Sequence, residues 1–120
     1  DHLYWCAARI KQLGGKTSIL NPIWFIGSFT LGTIAGLAGD KWSLGFLAET
    51  EKQVGEHLQN HINHWPEFDK RSLAILKQMH EDELKHADTA NECGAAQLPY
   101  PIPDMMKFSA KFMTKTTYFV

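Results

Sequence analysis

A chain of 120 residues has room for one domain and one modest core. Apolar residues make up 44% and charged residues 21%, and the net charge is −1, so the balance gives no reason to expect a nucleic-acid partner. The two cysteines, Cys6 and Cys93, form no Cys-x-x-Cys or other ligand spacing, which points to free thiols in a reduced compartment.

The first predicted helix runs from His2 to Leu13 and is stopped by Gly14-Gly15. There is no initiator Met, and Asp1 to Ile10 reads as the rear of a longer helix, so upstream sequence is expected. Thr17 to Gly39 carries no charged residue. Its four glycines, its proline and its Ser and Thr content argue against a true transmembrane span. A long buried or membrane-dipping helix is the expectation. Ser28, Gly32 and Gly36 recur every fourth residue, a small-residue ridge that would let a second helix approach closely.

Trp42 to His64 forms the third helix, ended by Trp65-Pro66. At 100° per residue Glu51 lines up with Leu44, Leu47, Leu58, Ile62 and Trp65, the apolar stripe. Glu49 points about 160° away and reads as solvated. His57, His61 and His64 have a spacing that could bind zinc, but their stripe lies about 120° from Glu51, so a solvated row is the expectation.

The fourth helix spans Asp69 to Cys93, with Gly94 as the residue just past its end. Glu83 and His86 fall on the face of Leu76, Met79, Ala87 and Ala90, which should be the buried one. Glu56, Glu81 and Asp82 fall off the apolar stripes and read as surface charge. Pro99, Pro101 and Pro103 make an extended connector. Asp104 is the expected N-cap of a last amphipathic helix, in which Met105, Phe108, Phe112 and Phe119 form one stripe and Lys107, Lys111 and Lys115 another. Such a helix suits a membrane surface, or a place on the outside of the bundle. There is no repeat, low-complexity tract, nucleotide-binding loop or nucleophile elbow.

One Glu-x-x-His match is common by chance. Glu51 on a second apolar stripe changes its weight, because an ionised carboxylate in a core stripe is costly unless paired or bound to a cation. Two inward carboxylates and a histidine on neighbouring helices form half of a di-iron or di-manganese carboxylate site.

The runs Gly14-Gly15-Lys16-Thr17-Ser18, Leu20-Asn21-Pro22, Trp42-Ser43-Leu44-Gly45-Phe46, Glu49-Thr50-Glu51 and Asp82-Glu83-Leu84-Lys85-His86-Ala87 closely resemble the demethoxyubiquinone hydroxylase family, bacterial type. The resemblance covers essentially the whole chain as a single domain, residues 1–120. It implies an all-α, ferritin-like helical bundle with an added membrane-interacting apolar helix, of which the first helix and part of the second lie upstream of Asp1. It implies two iron ions, with His2, Glu51, Glu83 and His86 as four of six metal ligands. His2 would be the histidine of a first Glu-x-x-His whose glutamate lies just before Asp1.

The implied chemistry is O₂-dependent hydroxylation of the ring of a polyprenyl quinone or quinol in ubiquinone biosynthesis, with an electron donor that the sequence does not identify. Membrane lipid is the implied partner, and the implied location is the cytoplasmic face of the bacterial inner membrane, as a peripheral protein. Homo-oligomer formation stays open. The competing readings are a ferritin- or rubrerythrin-like iron protein without a lipid substrate, and an inactive membrane-associated helical fragment. The uncharged Thr17–Gly39 segment disfavours the first, and iron content separates the second.

Overall fold

The computed structural model describes residues 1–120 and is all-helical: α1 (His2–Gln12), α2 (Asn21–Leu37), α3 (Asp40–His64), α4 (Lys70–Glu92) and α5 (Ile102–Phe119). The sequence punctuation explains these limits. Gly14 and Gly94 take positive φ just past α1 and α4, and Gly39 does so immediately before α3, conformations open to glycine at little steric cost. Pro66 lies in the short turn between α3 and α4, so those two helices pack back to back as an antiparallel pair.

Only nine residues are buried, so the core is a seam rather than a filled interior. Ala48 and Leu58 of α3 and Ala87 and Ala90 of α4 are buried along it, with Gly45 and Gly55. Small residues there let the two backbones run close together. At Gly45 the close neighbour is the chain after α4: a Cβ at this position would overlap the carbonyl oxygen of Ala96. The Ala96 amide in turn donates to the Lys41 carbonyl at 2.9 Å, tying the chain after α4 to the start of α3.

A polar clamp fixes α1 to this pair. Arg9 donates from Nε to Ser72 Oγ at 2.9 Å and from an η nitrogen to Asp69 Oδ1 at 2.8 Å. Asp69 also caps α4 by accepting from the Ser72 amide, and it accepts from the Trp65 indole. One carboxylate therefore joins α1, the α3–α4 turn and the first turn of α4.

Three expectations need correction. Of the two settings expected for the apolar segment, buried or membrane-dipping, burial is removed: Phe25, Ile26 and Phe29 are about two-thirds exposed or more, and α2 packs chiefly on α3. Half-buried Trp24 and Ala35 face inward, and Trp24 Nε1 donates to Thr117 Oγ1 of α5 at 2.8 Å. The Ser28, Gly32, Gly36 ridge receives no second helix, since nothing lies within 4 Å of a Cβ built at either glycine. Finally, α5 begins at Ile102, with Pro101 as its N-cap, which puts Asp104 in the first turn instead of at the cap. No helix is long and apolar enough to cross a membrane. In α5 the Met105, Phe108, Phe112 and Phe119 stripe is exposed, while Met106, Met113, Thr116 and Thr117 turn inward.

Hydrogen bonds from Ser72, then Arg9, then the Ser72 amide and Trp65 hold the Asp69 carboxyl at about 2, below its ordinary 3.8. A depressed carboxyl stabilises the fold above its unfolded value and loses that contribution as pH falls through the folded one. Thermal unfolding should therefore show a loss of stability between about pH 4 and pH 2. Asp69→Asn should remove this part of the pH dependence while lowering stability at neutral pH.

Candidate metal centre

Helix α3 delivers Glu51 and α4 delivers Glu83 and His86 to one side of the seam. Small residues one or two turns apart on each helix (Ala48 and Gly55 on α3, Ala87 and Ala90 on α4) let the backbones come close enough for these side chains to meet. One ligand atom from each of Glu51, Glu83 and His86 lies within 4.8 Å of the others. Glu83 is buried, with its side chain 11% exposed, and Glu51 is 16% exposed.

The electrostatics of Glu51 are unfinished. Its Oε2 is buried and has no hydrogen-bond partner. The closest basic atom is His86 Nδ1 at 3.7 Å, beyond hydrogen-bond reach. A buried acceptor left unpaired costs about 1–3 kcal/mol, and more when it is charged. A cation between Glu51, Glu83 and His86 removes that cost, and carboxylate oxygens with imidazole nitrogen are a fitting donor set for iron, manganese or zinc. The residues present fit a metal.

His2 approaches from α1. Its Nδ1 is 2.9 Å from Glu83 Oε1, its Nε2 is 2.9 Å from Asp82 Oδ2, and its ring lies 6.4 Å from that of His86, nearly parallel. Asp82 only accepts, so its hydrogen bond with Nε2 places an N–H there, while the Nδ1–Glu83 approach is a close contact without hydrogen-bond geometry. A metal at Nδ1 would leave Nε2–H donating to Asp82, the arrangement in which a second carboxylate fixes a ligand's tautomer and ring plane. Hydrogen bonds from His2, then Gln78, hold the Asp82 carboxyl below its ordinary range.

The four sequence candidates thus fall around one cleft, which is also lined by Asp1, Leu3, Trp5 and Asp82. Three readings change. Asp82 is half-buried against His2 and is not plain surface charge. Periodicity placed it beside Glu83 but could not show that α1 covers that edge of α4. His86 shares the inward face yet remains 58% exposed, because none of the five helices closes that side of the cleft. Glu49 points to the opposite side of the seam as expected, but there it is half-buried, accepting from Gln53 at 2.7 Å beside the α4–α5 connector. Both cysteines are free; Cys6 lies against Met79, and burial pushes its thiol up.

A helical seam carrying a Glu–Glu–His group with a fourth, carboxylate-oriented histidine defines the class: an all-α protein with a candidate carboxylate–histidine metal centre. Residues 1–117 match the model of a family described as ubiquinone biosynthesis protein COQ7. The chain belongs to this family. It is 57% identical over 120 residues to a 3-demethoxyubiquinol 3-hydroxylase of Legionella pneumophila, covering all of this chain and 56% of the relative. It is 55% identical over 118 residues to the protein of that name from Chromobacterium violaceum, covering 98% of this chain and 57% of the relative. An Acinetobacter baumannii protein, again of that name, is 54% identical over 120 residues, 57% of its length. The chain therefore spans a little over half the length of these curated relatives. No solved structure matches it.

Asp82→Ala should weaken iron binding by about ten- to a hundred-fold through loss of His2 orientation, with the helical content unchanged. Titration of iron(II) into the metal-free intact protein, followed by isothermal calorimetry, measures this. An affinity equal to that of the parent protein would show that the His2–Asp82 contact does not orient a ligand.

Proposed function

We propose that the protein is an O₂-dependent hydroxylase of the ring of demethoxyubiquinol in ubiquinone biosynthesis, with an iron centre held by His2, Glu51, Glu83 and His86 in a ferritin-like bundle. The observation that carries this reading is the unpaired buried Glu51 Oε2 beside Glu83 and His86. The family and the names of three relatives supply the substrate class.

When bound, a pair of iron ions would supply the reduction of O₂ and the delivery of one oxygen atom to a ring carbon, the other atom leaving as water with two electrons and two protons from a donor. The chain's residues hold that chemistry in place. Glu51 and Glu83 present hard oxygen donors from two different helices, so the spacing of α3 and α4 sets the distance between them. His86 and His2 add imidazole donors from α4 and α1. Asp82 keeps His2 in one ring orientation and holds the proton on Nε2. Trp5 and Leu3 border the cleft and supply apolar surface for a ring.

A substrate with an isoprenoid tail must come from lipid. Here α2 exposes Ile23, Phe25, Ile26, Phe29, Ile34 and Leu37, and α5 exposes Met105, Phe108, Phe112 and Phe119. Lys107, Lys111 and Lys115 line α5 beside its aromatic stripe, and the Trp24–Thr117 hydrogen bond ties the two helices together. Apolar surface of this extent supports a helix pair resting in a membrane interface, and it disfavours a water-soluble iron store, which has no use for it. We assign the protein to the membrane surface as a peripheral protein, on the cytoplasmic side.

Glu83→Ala in the intact protein should abolish demethoxyubiquinol hydroxylation and bound iron together, whereas Glu49→Ala should leave both near parent levels. Product analysis by chromatography, with metal content measured alongside, checks this; equal losses would contradict the assigned facing of the two glutamates.

The intact protein should float with anionic vesicles and be partly released by high salt, since each lysine near such a surface contributes about 1 kcal/mol that salt screens. Replacing Phe25 and Phe29 with Ser should reduce flotation and slow turnover of a long-tailed quinol more than a short-tailed one. Parent-level flotation in that variant would remove α2 from the membrane contact.

A further inference from the structure

The histidine row of α3 is not a uniform solvated stripe. Residues four apart on a helix stand one turn above each other on nearly the same face. His57 and His61 use that spacing to converge: their Nε2 atoms are 2.7 Å apart, and the rings stack with centroids 4.5 Å apart and planes 21° from parallel. His64 does not join them. Its Nδ1 turns back to the Asn60 carbonyl at 2.8 Å. Trp65 meets the His61 ring edge-on at 6.3 Å and walls one side of the pair.

The contact places one N–H between two nitrogens, so the lone pair of one ring accepts the proton that the other carries. Partial burial, then the charge of His57, holds His61 below its ordinary value, which favours a free lone pair at neutral pH. A metal is the other occupant that two converging lone pairs accept. Tetrahedral zinc with Zn–N bonds of about 2.0–2.1 Å sets two nitrogens about 3.3 Å apart, somewhat over half an ångström wider than the 2.7 Å present. Small ring rotations of two exposed side chains supply that difference.

We propose that His57 and His61 form a second metal site, a two-imidazole chelate for one divalent transition ion of the zinc, copper or nickel type, separate from the carboxylate centre. The separation is geometric. His57 lies six residues beyond Glu51, about 9 Å along the helix axis, and faces a different side of it. The donor sets also differ: nitrogen alone selects borderline ions, while Glu51 and Glu83 offer hard oxygen. With two protein ligands and solvent-facing rings, the remaining coordination positions are open to water or to a ligand from a partner.

The test is calorimetric titration of Zn²⁺ into the intact protein, first with the carboxylate centre preloaded with iron and then in the Glu83→Ala variant. One Zn²⁺ equivalent should bind in both. His57→Gln and His61→Gln should each weaken it by about tenfold or more, while His64→Gln leaves it unchanged. All three histidines are exposed, and circular dichroism should show the same helix content in each variant. Zinc binding that disappears with Glu83→Ala, is absent after iron loading, or falls equally in all three histidine variants would overturn the proposal. None of these outcomes bears on the iron centre itself, whose failure would appear instead as lost iron in the parent protein.

Discussion

The close approach of α3 and α4 is the constraint on which everything else in this protein depends. Glycine and alanine at Ala48, Gly55, Ala87 and Ala90 leave so little between the two backbones that Glu51 and Glu83 are brought into one partly dry cleft. Two carboxylates there repel each other, and one oxygen of Glu51 has no partner at all. Natural cores seldom leave such a group unsatisfied, and those that do commonly sit at functional sites. The core that pays for this is thin, so the stability of the seam and the quality of the site are linked: side chains larger than alanine at the contact would separate the helices and the ligands together.

Around that seam the remaining elements play distinct parts. α1 is fixed at one end by Arg9 on Asp69 and Ser72, and at the other it sets His2 against Asp82 and Glu83. The same short helix thus ties the turn between α3 and α4 to the far end of the site. α2 and α5 contribute little to the core and carry most of the exposed aromatic surface. The division separates the pair that carries the candidate metal ligands from the pair that carries the exposed apolar surface.

Much of this was legible in the sequence, for reasons that can be named. Gly14, Pro66 and Gly94 mark helix ends through backbone geometry alone, and the 3.6-residue period turned Glu51 and Glu83 inward without any knowledge of the fold. What periodicity cannot supply is the identity of the neighbour. It gave the Thr17–Gly39 segment an apolar character but not a cover, so a buried and a membrane-dipping helix both fitted, and the exposure of α2 removes only the first. It placed Asp82 off the stripe of α4, yet α1 crosses that edge and makes the residue part of the site. It read His57, His61 and His64 as one row, whereas rotamer choice joins the first two and turns the third away. The resemblance added His2, which no spacing within the chain could have singled out.

Iron at Glu51, Glu83 and His86, as proposed above, can be located directly. Crystals of the intact protein grown with iron(II), measured on either side of the iron absorption edge, locate that metal without reference to activity. The account requires anomalous density within bonding distance of the Glu51 and Glu83 carboxylates and a His86 ring nitrogen, with Glu51 Oε2 no longer unpaired. Density absent from that cleft, or found only beside residues elsewhere on the surface, would contradict it.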